Sequence, residues 1–96
     1  MKLIKLSRAN NGKHKFTAFV QTPDLKIHKV LFGAKGYSDF TKHKDPERKR
    51  RYIIRHQRRE NWSKKGALTP GFWSRWVLWN KPSLSESIKN VKRILK

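Results

Sequence analysis

The chain has no cysteine. That excludes disulfides, cysteine-held zinc and thiol nucleophiles, and it is compatible with an intracellular location without proving one. Acidic residues are scarce, with 6 Asp+Glu against 25 Lys+Arg and a formal net charge of +19 over 96 residues. Self-repulsion on that scale destabilises a compact monomer, and a polyanionic partner relieves it. Nucleic acid is the commonest such partner. No long apolar run exists to cross a membrane, so an anionic membrane surface is only an electrostatic rival. Met1 to Leu6 lacks the apolar stretch and cleavage site of a signal peptide, and none is read. No Ser/His/Asp set or metalloprotease helix motif is present. No catalytic residue is assigned, and no cofactor or metal is implied.

The length predicts one domain, residues 1–96, with a small core that large aromatics must fill. With only 4 prolines and 5 glycines, each one punctuates clearly. Leu3–Leu6 alternates weakly, as a short strand does. Asn10-Asn11-Gly12 is a turn signal, because Asn and Gly tolerate positive φ. His14–Thr22 alternates, with Phe16, Ala18 and Val20 on one face and Thr17, Phe19 and Gln21 on the other. Lys26–Phe32 alternates again but carries apolar residues on both faces, which marks it as the central or most covered strand. A three-stranded antiparallel meander over 1–36 follows. Gly33-Ala34-Lys35-Gly36 ends it; the loop could approach a phosphate but lacks the Gly-Lys-Ser/Thr of a phosphate-binding loop, and a flexible turn is the plainer reading.

Three helices are then expected. Asp45-Pro46-Glu47 supplies a cap, a first-turn proline and an acid at the positive dipole end, starting a helix over 45–62. Thr69-Pro70 starts a second over 70–80, with Phe72, Trp73, Trp76, Val77 and Trp79 as a wide apolar surface. Asn80 is expected to end it in the left-handed conformation, and Pro82 forbids continuation. Ser83 with Glu86 resembles a capping box and opens a third helix over 84–95, whose Leu84, Ile88, Val91 and Leu95 form one stripe. The predicted class is α+β.

Several stretches of the middle are distinctive: His43-Lys44-Asp45, Arg51–His56, Arg59–Trp62, and above all Gly71-Phe72-Trp73-Ser74-Arg75-Trp76 with Leu78-Trp79-Asn80. Over roughly Phe32–Ser87 the chain resembles a family of small basic proteins encoded by giant and other nucleocytoplasmic large DNA viruses. The N-terminal sheet carries little of this resemblance. It implies a viral origin and a virion component, located in the virion and in the host cell interior during infection. No catalytic residue is carried over by it.

Arg48, Arg51, Arg55 and Arg58 recur at three- and four-residue spacing, one helical stripe about 15 Å long. Guanidinium groups bind phosphate oxygens bidentately, so this stripe, with Lys49, Arg50, Arg59, Lys64 and Lys65 nearby, is the candidate DNA-binding surface. Tyr52, Ile53, His56 and Glu60 are expected on the opposing side. Trp62, Trp79 and Tyr37 are candidates for stacking on bases, against the plainer reading that tryptophans fill the core. Phe72, Trp73, Trp76, Val77, Ile88 and Val91 are the predicted core. His43 with Asp39, Asp45 and Glu47 is the one cluster resembling a divalent-metal site, though Asp45 is better explained as a cap. His56 and Glu60 pair as base and orienting acid or as a simple intrahelical hydrogen bond. Two functions follow. One is non-specific DNA binding through phosphates, which neutralises or condenses a packaged genome. The other is a structural minor capsid or scaffold role, in which the basic surface and aromatic helix meet acidic capsid proteins or an inner membrane.

Overall fold

The structure, a computed structural model, describes residues 1–96. Strands β1 (Lys2–Arg8), β2 (His14–Gln21) and β3 (Ile27–Ala34) form an antiparallel sheet in the order β1-β2-β3. Four helices follow: α1 (Phe40–His43), α2 (Pro46–His56), α3 (Pro70–Trp73) and α4 (Leu84–Ile94). The protein is α+β, with the sheet first and the helices after it.

Register explains which residues reach the core. Leu6, Ala18 and Val30 stand opposite one another, as do Phe16 and Phe32. Ala18, Val20, Val30 and Phe32 are buried on one face, as a period of two requires. β3 is an edge strand rather than the central one, and its second apolar set is left open: Ile27 is 58 % exposed and Leu31 37 %. β2 holds the centre, because in a meander each hairpin turn sets the next strand beside the last.

The helices close over the inner face. Phe32 meets Trp73 at 6.2 Å, and Phe72 meets Trp73 edge-on at 5.2 Å. Phe72, Trp73, Val77 and Val91 are fully buried, while Trp76 and Ile88 lie half-buried at the rim of the same cluster. The Trp73 indole N–H donates to the Ala67 carbonyl at 2.7 Å, so a large apolar body is buried without an orphaned donor. In α4, Ser83 Oγ accepts from the Glu86 N–H, and Val91 and Leu95 face inward; burying each such side chain is worth about 1.5–3 kcal/mol.

Five expectations are corrected. Helix α2 stops at His56, not near Trp62. Beyond it the chain turns so that the Trp62 carbonyl accepts the Trp76 indole N–H at 2.8 Å, a contact that a continued helix would forfeit. The second helix changes at Ser74 into a π-helical turn, Ser74–Leu78, closed by Trp79 N–H to Ser74 O at 3.1 Å. The wider turn carries Leu78, absent from the predicted apolar face, into the core at 3 % exposure. Asn80 is not left-handed; its amide donates to Trp76 O and Asn90 Oδ1, tying the helix end to α4. The left-handed cap belongs instead to Lys44 (φ 54°), which ends α1, a short helix beyond the three expected. Thr69 does not cap through its side chain: its hydroxyl donates to Gly66 O in the 3-10 turn Lys64–Gly66.

Candidate nucleic-acid interface

Helix α2 starts where the sequence says it should. Asp45 Oδ1 accepts from Glu47 N–H at 3.0 Å, and Pro46 occupies the first turn. From there the period of 3.6 sends Arg48, Arg51 and Arg55 to one side. That side forms the wall of a cleft of about 580 Å³. The opposite side is lined by the end of β3, Gly33 and Ala34, and by Tyr37, Ser38 and Asp39 of the following loop, and the floor is Gly71, Ser74 and Leu78. Gly33 has φ +78°, and a Cβ there would come within 2.7 Å of Leu78 Cδ1, so glycine is what lets the strand end meet the floor.

Charge in the cleft is unbalanced. Lys15 and Asp39 pair at 2.5 Å, with side chains 11 % and 2 % exposed. Glu60 accepts from His56 Nδ1 at 2.6 Å and from the Trp62 indole N–H at 3.1 Å. Both lining carboxylates are therefore engaged. Arg48 and Arg55 have no carboxylate partner, and Arg51 only skirts Glu47 at 3.6 Å. Three guanidinium groups thus line one concavity, and only Arg51 has an acid near it, at the long distance of an exposed pair.

Tyr52 forms the back of the cleft and is buried. The Trp79 ring lies parallel to it at 4.5 Å and 3°, and His56 stacks on it at 4.3 Å. Burial, reinforced by the Glu60 charge, pushes the Tyr52 phenol above its ordinary range. Tyr52, His56 and Glu60 thus share the cleft with the arginines rather than facing away from them. On a helical wheel Tyr52 lies only about 40° from Arg48, so the contrary expectation misjudged the phase.

The remaining candidates scatter. Arg58 lies past the end of α2 and, like Arg59, does not line the cleft; both are exposed. Arg50 is turned to Glu47 at 2.5 Å. Lys49 is part of the scaffold: its ammonium donates to Asn80 O at 2.7 Å and lies 4.9 Å over Phe40, and burial with the Arg75 and Lys81 charges lowers its pKa. Lys64 and Lys65 sit in the 3-10 turn, Lys64 donating to the Lys96 carbonyl, away from the cleft lining. Of the stacking candidates, Trp62 and Trp79 are half-buried with protein groups already against their rings: Tyr52 on both, Arg75 on Trp62 and His43 on Trp79. Tyr37, 73 % exposed at the cleft, has its ring free.

The cluster considered for a metal does not converge. Asp39 is held by Lys15 and caps α1 through Thr41, Asp45 caps α2, and Glu47 binds Arg50. His43 Nδ1 accepts from the Asp45 N–H, while its buried Nε2 has no partner. Sequence reading missed Lys15, whose pairing with Asp39 crosses 24 positions, and Arg75, which lies 4.4 Å over Trp76. Only the Trp-Ser-Arg-Trp spacing hinted at the second.

A profile of a family of unknown function (DUF5754) matches residues 4–56, more than half of the chain. The chain belongs to this family. The matched span contains all of the sheet but the first two residues of β1, together with α1 and α2, and with them two of the cleft walls. It therefore includes the strands that the sequence resemblance left out, and it stops before the Gly71–Asn80 motif on which that resemblance rested most. No curated protein and no solved structure matches the chain.

Proposed function

We propose that this protein binds DNA non-specifically, seating backbone phosphates in the cleft against Arg48, Arg51 and Arg55. The observation that carries the reading is the convergence of these three guanidinium groups on one concavity, Arg48 and Arg55 without a carboxylate partner and Arg51 with only a long, exposed contact to Glu47. Phosphate contact positions without reading sequence, which suits neutralisation or condensation of a packaged genome. A virion-associated role in a large DNA virus is part of the proposal and draws its support from the resemblance in the aromatic motif. The proposed role is one of binding rather than catalysis, since the cleft's basic wall is what the reading rests on. The test is affinity for unrelated duplexes as a function of salt. Three phosphate contacts give a log–log slope steeper than about −2.7 once the rest of the basic surface adds to it. A flat dependence, or no binding at low salt, would refute the DNA reading and favour the capsid or scaffold role.

A further inference from the structure

The outer face of the sheet lies away from the core and no helix residue belongs to it. Its rows are set by register: Lys5, Phe19 and Lys29 stand side by side across the three strands, and Thr17 and Leu31 form part of the next row. Phe19 is half-buried between its neighbours, with Lys5 Nζ 5.8 Å and Lys29 Nζ 5.9 Å from its ring centroid. None of the three strands contains an acidic residue, and neither lysine has an ion-pair partner. An aromatic ring on the central strand thus stands between two cations that have no ion-pair partner.

We infer that this face is a second binding site, distinct from the cleft, at which an unpaired base of single-stranded nucleic acid stacks on Phe19 while Lys5 and Lys29 take the flanking phosphates. Each element of the row has a matching part in that ligand. The ring's π-face, over which Lys5 and Lys29 now lie, takes a base of any identity once the two ammoniums shift to phosphates. The lysines rise from strands about 10 Å apart at the backbone, one on either side of the ring. Their exposed cation–π contacts are weak and yield readily to a phosphate. A duplex hides its base faces, so it gains only the charge. A lipid surface fits less well, because a half-buried ring does not protrude into acyl chains.

The experiment compares three labelled probes on the full chain: a thymidine decamer, a fully abasic decamer of equal phosphate number, and a duplex. The wild type should prefer the thymidine strand to the abasic one by about tenfold, the scale of one base stack. Phe19→Leu, which keeps an apolar side chain in the same row, should abolish that preference and leave duplex affinity unchanged. Lys5→Gln with Lys29→Gln should lower the single-strand salt slope by about 1.4, near 0.7 for each phosphate, and weaken the duplex less than the single strand. Should Phe19→Leu fail to fold, this exposed lysine pair carries the test alone. Equal affinity of the wild type for thymidine and abasic strands overturns the site while leaving the cleft reading intact. So does a lysine variant that weakens duplex and single strand alike, since only total charge would then matter. Anionic phosphatidylserine vesicles serve as a fourth probe: loss of vesicle binding by Phe19→Leu, with strand affinities unchanged, makes the face a membrane surface and refutes the inference. A cleft variant that keeps wild-type duplex affinity refutes the cleft reading alone, and a wild type that binds no nucleic acid refutes both.

Discussion

Replacing Arg48, Arg51 and Arg55 together by Gln tests whether the cleft, rather than the overall charge, holds DNA. Glutamine keeps helix propensity and removes the cation. All three side chains are exposed, and none makes a close ion pair, since Arg51 approaches Glu47 only to 3.6 Å. The variant should therefore fold, losing only some packing by arginine stems. Each lost phosphate contact removes about 0.9 from the salt slope on duplex DNA, so the slope should fall by about 2.7. Between 50 and 200 mM salt the wild type then loses about 40-fold more affinity than the variant. The control is Lys89, Lys92 and Arg93 to Gln on α4, three exposed cations outside the cleft and the same change in net charge. Fluorescence anisotropy of a labelled duplex over a salt series reads both slopes. Equal slopes in the two variants would refute the site. Unfolding of the cleft variant in circular dichroism would refute the premise that these arginines do not hold the fold together.

Three further outcomes follow from the packing. Trp73→Ala should cost about 3–5 kcal/mol in urea titration, a large share of the roughly 5–14 kcal/mol available to a chain of this size; Trp73→Phe should cost less, and an unchanged midpoint for Trp73→Ala would make that ring an interface rather than core. Asp39→Ala leaves Lys15 without its partner and α1 without its cap, and should cost about 3–5 kcal/mol; a loss under 1 kcal/mol would show the pair to be solvated. Burial raises the folded-state pKa of Tyr52, so its contribution to stability is full below the ordinary phenol range and is lost as pH climbs from about 10 towards the raised value. Phenolate absorbance of Tyr37→Phe, with Tyr52 as the single remaining tyrosine, should therefore appear only above that range, and ionisation at about pH 10 would place Tyr52 in water.

The sequence by itself determined what depends on neighbours in the chain. The turn at Asn10–Gly12, the alternation of β2, the Asp45-Pro46 start of α2 and the Ser83 start of α4 are all local, and all are legible from residue type and spacing. So is the burial of Phe72, Trp73, Val77 and Val91, because a small chain has few other large apolar groups to bury. Tertiary structure decided where those rules compete. Residues 57–62 have helical propensity enough to extend α2, but Trp62 reaches Trp76 only if the helix ends. Leu78 reaches the core only because a π turn shifts the phase that a period of 3.6 assigns. Lys49 belongs by spacing among the surface cations, yet Asn80 and Phe40, far along the chain, draw it inward. The cleft itself is the clearest case. Its arginines are visible as a stripe, but the concavity exists only because β3, the Tyr37–Asp39 loop and the Pro70–Leu78 segment come together opposite them. Periodicity reports which side of one element a residue occupies; it carries no information about what a distant element places across from it.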